Sequence, residues 1–256
     1  MTTDTVEKSA SCQLLVGDTP VTITGIAKGS GMIAPNMATM LAVVMTDAKI
    51  KAPVAQEMLS EVCDRTFNCI SVDGHTSTND TILLLANGAA TESELDEQAL
   101  RSFRNAFEAI CLQLAQAIVN DGEGATRSIE IHVTGCRSVE DANRIATSVG
   151  ASPLVKTAIA GADPNWGRIV SAAGYAGPKF DSTELTLKLN GSALFKEGTP
   201  VAFDRDAVSK SLRENREVLV ELQFSEGDEQ ARYWTCDLTA EYVRINAEYH
   251  LSLIHI

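Results

Sequence analysis

The chain has 256 residues, enough for one large domain or two small ones with a sizeable core. It is 45% hydrophobic and 21% charged, as globular proteins are, and carries a formal net charge of −13. That acidity argues against nucleic acid and anionic membranes as partners, because both are bound by basic faces.

The first residues, "MTTDTVEKSA", are polar and lack the apolar core of a signal peptide. Every apolar run falls far short of the ~20 residues that cross a bilayer, so the composition points to a soluble, cytoplasmic protein. Leu14 to Val16 and Val21 to Ile26 flank Gly17-Asp18 and predict a hairpin. The stretch "KGSGMIAPNMATML" (28–41) follows as a loop. It runs into Met40 to Met45, which is apolar at every position and predicts a strand covered on both faces. Pro53 opens a helix whose apolar side holds Val54, Met58, Leu59 and Val62. Thr81 to Gly88, "TILLLANG", reads as a second strand of the fully buried kind.

Leu100, Phe103, Phe107, Ile110, Leu114 and Ile118 recur at helical spacing. That helix stops at "NDGEG", where Gly122 is expected to take the left-handed cap conformation. Ile129, Ile131 and Val133 alternate with Glu130, His132 and Thr134, which predicts a strand with one wet face and a surface His132. Helices follow in "SVEDANRIATSVG" and in "SPLVKTAIAG", the second opened by Ser152-Pro153. Leu185, Leu187 and Leu189 alternate into Asn190-Gly191, a hairpin turn. A helix around Asp206 to Arg213 precedes the strands "EVLVELQF" and "YWTCDL". Helices and strands alternate with antiparallel pairing, a mixed α/β class. The texture changes near residue 137, which suggests domains at 1–136 and 137–256.

Six cysteines (Cys12, Cys63, Cys69, Cys111, Cys136, Cys236) are scattered without a C-x-x-C pair or accompanying histidines. Free thiols fit that spacing better than a disulfide framework or a zinc site. The 28–41 loop is not a phosphate loop. Walker A places Lys and the hydroxyl after the last glycine and before a helix, whereas here Lys28 precedes Gly29 and Gly31 and a strand follows. Its single hydroxyl at the strand mouth, Thr39, allows two readings. Thr suits the first residue of a strand. Alternatively, cleavage of the Ala38–Thr39 bond would free an α-amine on Thr39, so that nucleophile and base share one residue.

Several segments taken together decide between these. "KGSGMIAPNMATML", "ISVDGHTSTNDT", "NDGEGATR", "SPLVKTAIAGADPNWGRI" and "CDLTAEYVRINAEY" resemble the ornithine acetyltransferase (glutamate N-acetyltransferase) family of arginine biosynthesis, from about Met1 to Tyr249. The resemblance implies an α+β fold of the N-terminal-nucleophile type, with stacked sheets between helix layers (α/β/β/α) and a smaller C-terminal α/β domain. It implies self-cleavage at Ala38–Thr39 into an α chain ending at residue 38 and a β chain starting at 39, held as an α2β2 assembly. The implied reaction moves acetyl from N-acetylornithine to glutamate through an acetyl-threonine enzyme. Some members also take acetyl from acetyl-coenzyme A as a substrate, and no resident cofactor or metal is implied.

Residue by residue, the match makes Thr39 the nucleophile, Lys28 a substrate-binding lysine, Glu123 a substrate-contacting glutamate and Asn246 a substrate-binding asparagine. A fixed ammonium at Lys28 suits an α-carboxylate. A carboxylate at Glu123 suits either the δ-ammonium of ornithine or the orientation of the active-site amine. Asp73, Thr76, Thr78, Asn79 and Asp80 read instead as turn-forming residues, and Trp166 and Arg168 as packing residues between domains.

The sequence departs from the family at both ends. Members carry an upstream segment with a Thr-Gly oxyanion pair and a further substrate-binding threonine, so Met1 reads as an internal methionine and the sheet as apolar and open where that segment would lie. After "NAEY" the family ends on a small hydroxyl residue, whereas "HLSLIHI" here puts Leu251 at that place. An amidase or aminopeptidase of the same broad fold, or an inactive fragment lacking its oxyanion donors, are the alternative readings.

Overall fold

A computed structural model of the chain describes residues 1–36 and 40–248. Ala38, Thr39 and the tail "HLSLIHI" lie outside the described residues. The structure divides into two compact units, Met1–Asp121 and Gly122–Ile256.

In chain order the first unit holds β1 (Lys8–Val16), β2 (Thr19–Lys28), β3 (Leu41–Thr46), α1 (Ala52–Arg65), β4 (Ile70–Ser71), β5 (Thr81–Ala86) and α2 (Glu97–Asn120). The expected hairpin joins β1 to β2, with Gly17 at φ +60°. The sheet order is β1-β2-β3-β5. The pairs β1/β2 and β2/β3 are antiparallel, and β3/β5 is parallel.

Helix α2 forms because its apolar residues repeat at helical spacing and because Asp96 caps its start, accepting from Ala99 N at 2.8 Å. Phe103, Phe107, Ile110, Leu114 and Ile118 are buried. Gly25 on β2 permits the helix to lie close: a Cβ there would stand 2.7 Å from Leu114 Cδ1.

The expectation that β3 and β5 are covered on both faces is corrected. Ala42, Val44 and Ile82 are buried on one face, but Leu41, Met45, Leu83 and Leu85 on the other are exposed, beside Ile26 of β2. These exposed side chains make that face of the first sheet apolar and open. A second correction concerns the end of α2. Asp121 caps it at φ −106°, and the left-handed glycine is Gly124 at φ +68°, two residues past Gly122.

The second unit runs β6 (Ser128–Cys136), α3 (Val139–Ala151), α4 (Pro153–Ala160), α5 (Trp166–Gly174), β7 (Thr186–Leu189), β8 (Ser192–Lys196), β9 (Thr199–Pro200), α6 (Arg205–Glu214), β10 (Glu217–Gln223), β11 (Glu229–Cys236) and α7 (Ala240–Glu248). Its strands are ordered β11-β6-β10-β7-β8-β9. Strand β6 is parallel to β10 and antiparallel to β11. It is an inner strand of the second sheet, so the division of the chain falls at the end of α2 and not near 137.

Helix α3 packs on β6 and β11. Asn190 and Gly191 both take positive φ in the expected β7–β8 turn. Ser152 caps α4 through Val155 N, and His132 meets Gln230 at the surface. Trp166 stacks on Phe195 and Arg168 donates to Leu154 O at 2.9 Å, so both have partners inside this unit.

Candidate active site

Strand β2 ends at Lys28, which pairs across to Leu41, the first residue of β3; Leu41 pairs in turn with Thr81, the first of β5. One end of the first sheet thus gathers Lys28, the residues just after Thr39, and the "STNDT" loop. Thr81 N donates to Met40 O at 2.9 Å, and Asp80 accepts from Met40 N. Residue 40 is held at both backbone groups by residues 80 and 81, and its side chain is fully buried.

The loop before Thr39 is fixed by the "ISVDGHTS" segment. Asp73 accepts from Met32 N at 2.8 Å and from Ile33 N at 3.1 Å. Ser71 Oγ donates to Ile33 O, and Thr76 Oγ1 donates to Ala34 O at 2.8 Å. Asp73 and Thr76 therefore hold loop backbone, as turn chemistry predicts. Asp80 differs. Burial pushes its carboxyl up to about 6, even though the Met40 N–H and the nearby Lys28 ammonium both pull it down.

A buried ionic cluster holds the other side of the Lys28 loop. Lys8 Nζ lies 2.7 Å from Asp4 Oδ1 and 2.5 Å from Asp121 Oδ2, with all three side chains almost wholly buried. Asp4 Oδ1 also accepts from Gly29 N at 2.7 Å, and Ser30 Oγ donates to Asp121 O at 2.5 Å. Thr5 N donates to Asp121 Oδ2 at 3.0 Å. Burial pushes the Asp4 carboxyl up, but the Lys8 hydrogen bond, the Gly29 and Thr2 amides and the Lys8 charge outweigh it and hold it at about 2. The cluster ties the N-terminal segment, the glycine loop and the end of α2 together.

In the second unit, Asn246 Nδ2 donates to Glu123 Oε2 at 2.7 Å and to Tyr242 O at 3.0 Å. The loop carrying Glu123 is clamped by Asp237. Its carboxylate accepts from Thr126 N at 2.8 Å, Arg127 N at 2.9 Å and Thr126 Oγ1 at 2.5 Å, with Arg127 Nη1 at 3.7 Å. Thr239 Oγ1 donates to Gly124 O at 2.7 Å. Gly124 must be glycine twice over: φ is positive, and a Cβ would stand 2.5 Å from Tyr242 N.

Of the residues picked from the sequence, Lys28 stands at the site end of the first sheet, and Glu123 bonds directly to Asn246. Thr39 and Ala38 lie outside the described residues. Sequence reasoning missed Asp4, Lys8, Asp121 and Asp237, and it read Asp80 only as a turn residue. One signal was available. Lys8 alternates with Ala10, Cys12 and Leu14 along β1, which puts it on the inward face. The buried thiols of Cys63 and Cys69 offer no competing nucleophile. Burial pushes Cys63 up to about 12 and Cys69 to about 11. Among the described residues no His/Cys/Asp/Glu group could hold a metal ion, and no described helix is long and apolar enough to cross a membrane.

The model of the ArgJ family matches residues 1–251. The chain belongs to the ArgJ family. It is 47% identical over 251 residues to the arginine biosynthesis bifunctional protein ArgJ of Rhodopirellula baltica, covering 97% of this chain and 61% of that relative. It is 45% identical over 251 residues to the ArgJ protein of Bacillus subtilis, covering 97% and 62%. The chain thus spans less than two thirds of the length of these curated ArgJ relatives. A crystal structure of the Bacillus halodurans argJ protein is 39% identical with a TM-score of 0.80, covering 82% of this chain and 100% of that one. This likeness bears out the mixed α/β class.

Proposed function

We propose that this ArgJ-family chain carries the nucleophile of an arginine-biosynthesis acetyltransferase. It cleaves itself at Ala38–Thr39 and then moves acetyl from N-acetylornithine to glutamate. The observation that supports this reading most is the Glu123–Asn246 hydrogen bond of 2.7 Å. Two residues 123 positions apart, each matched separately to a substrate-contacting residue, meet as one polar pair.

The chemistry follows from a threonine that bears its own amine. Freed by the cut, the Thr39 α-amine has an unperturbed pKa near ~8 and takes the hydroxyl proton. Oγ attacks the acetyl carbonyl, and the ornithine amine leaves carrying that proton. The glutamate amine then attacks the acetyl-Thr39 ester and its proton returns Oγ to the hydroxyl. Lys28 holds the α-carboxylate that donor and acceptor share. Glu123 faces the δ-ammonium of ornithine, oriented by Asn246. Acetyl-coenzyme A would enter as a second donor, since a thioester carbonyl meets the same nucleophile. No resident cofactor is called for. The two cleaved chains stay together as α2β2 in the cytoplasm, and the net charge of −13 disfavours nucleic acid and anionic membranes.

The test is mass spectrometry of the purified chain, alone and after incubation with N-acetylornithine. Cleavage between Ala38 and Thr39, absent from Thr39→Ala, and acetyl on the fragment that begins at Thr39 are expected. A wild-type chain that stays whole, or acetyl elsewhere than Thr39, overturns the reading.

A further inference from the structure

Glu123 stands between two glycines, Gly122 and Gly124. Glycine leaves the backbone freer than any other residue, so a carboxylate carried there is aimed only if something outside the loop fixes it. Its partner Asn246 sits on α7, a helix with no buried residue and so with little packing of its own to anchor it.

What fixes the pair is a run of contacts that joins two stretches in opposite directions. Asp237 takes Thr126 N and Arg127 N, Thr239 Oγ1 donates to Gly124 O at 2.7 Å, and Asn246 Nδ2 donates to Glu123 Oε2 at 2.7 Å. As one stretch climbs from 237 to 246, its partners descend from 127 to 123. Between the last two links, Tyr242 N packs against the place where Gly124 lacks a side chain. The end of β11 that presents Asp237 is itself tied down. Lys156 is 4% exposed and donates through Nζ to Cys236 O at 2.5 Å and to Thr235 Oγ1 at 2.8 Å.

The Glu123–Asn246 pair is the last link of that run. Both partners of Asn246 Nδ2, the Glu123 carboxylate and Tyr242 O, are acceptors. The amide nitrogen must therefore face them, and the amide oxygen Oδ1 is left to accept. A carboxylate beside an amide oxygen attracts an ammonium and repels a second carboxylate.

We infer that Asp237 and Thr239 are positioning residues for the ammonium end of the substrate. They act through Glu123 and Asn246, whose spacing they set by holding the glycine-flanked loop against the start of α7. They therefore strengthen binding of a ligand that carries a side-chain ammonium and do nothing for one that lacks it. The inference rests on the reading, proposed above, that Glu123 faces the δ-ammonium of ornithine.

The experiment is calorimetric binding of two ligands to the purified chain. One is N-acetylornithine, and the other is N-acetylnorvaline, the same carbon chain without the δ-ammonium. Wild type should prefer N-acetylornithine by about 10–100-fold, the worth of a hydrogen bond to a charged group. Glu123→Gln should abolish that preference. Asp237→Ala and Thr239→Val should each shrink it by about 3–10-fold, with N-acetylnorvaline bound as by wild type. Thr239→Ser, which returns the hydroxyl, should restore it. A merely structural role weakens both ligands alike, and that result overturns the inference. So does an unchanged preference in Thr239→Val, which decides alone if Asp237→Ala does not fold. In both cases a preference abolished by Glu123→Gln leaves the ammonium reading standing. If wild type shows no preference, or Glu123→Gln keeps it, the ammonium reading and the positioning role fall together.

Discussion

The two loops that bear the candidate substrate residues are held by opposite electrostatic means. In the first unit, the loop after Lys28 is gripped by an ionic cluster, one lysine between two carboxylates, with Gly29 N and Ser30 Oγ attached to it. In the second, the loop around Glu123 is gripped by one carboxylate, Asp237, whose oxygens are taken up by two backbone amides and a hydroxyl. The first clamp depends on full charges balancing in a dry place. The second depends on dipoles, with Arg127 at 3.7 Å as a looser neighbour. Removing the central charge of the first leaves two anions facing each other, whereas removing Asp237 leaves uncharged donors without acceptors.

This contrast can be broken by four measurements. The largest effect is expected from Lys8→Met, which strands Asp4 and Asp121 as uncompensated buried charges. It should cost about 3–5 kcal/mol in urea unfolding. Asp237→Ala should cost about 2–3 kcal/mol, because Thr126 N, Arg127 N and Thr126 Oγ1 lose their acceptor. If the units unfold separately, these two variants move different transitions. A shared shift would show that the clamps belong to one cooperative structure.

The third measurement is stability against pH, where two carboxylates of the first unit have opposite signs. The folded pKa of Asp4 is held at about 2, below the ordinary carboxyl value of 3.8. Its contribution is present above 3.8 and lost as pH falls toward 2. Asp80 is raised to about 6, so its contribution is present below 3.8 and lost as pH rises through 6. Unfolding curves of Asp4→Asn and Asp80→Asn should each lose one of these slopes and keep the other. Smallest is the matched pair Ser30→Ala and Thr239→Val. Each removes one hydroxyl donor to a backbone carbonyl, Asp121 O or Gly124 O, and should cost about 1 kcal/mol. A much larger loss at Ser30 than at Thr239 would show that the hydroxyl is coupled to the ionic cluster.

Much of the fold was legible. The α2 stripe, the Gly17 and Asn190-Gly191 turns, the Ser152-Pro153 helix start and the alternation of β6 all stand where local pattern put them. Helix α7 was not legible, because none of its residues is buried and so it carries no apolar stripe. Its visible support is Arg244 paired with Glu241 and Glu248. The glycine that takes positive φ after α2 was misplaced because two glycines flank Glu123. Only the close approach of Tyr242 N marks Gly124 as the one that must lack a side chain.

By itself the sequence determined the family, through ordered motifs, and with it the candidate residues Lys28, Thr39, Glu123 and Asn246. It also determined most helices and strands, since periodicity is a property of neighbours a few residues apart. The tertiary structure alone decided which carboxylates are satisfied and which are not. Lys8 meets Asp121 across 113 positions, Asp237 meets Thr126 across 111, and Asp80 meets Met40 across 40. A carboxylate's charge depends on partners and burial brought by distant chain, which is why Asp73 and Asp80, seven positions apart in one polar loop, became a scaffold and a half-satisfied acid.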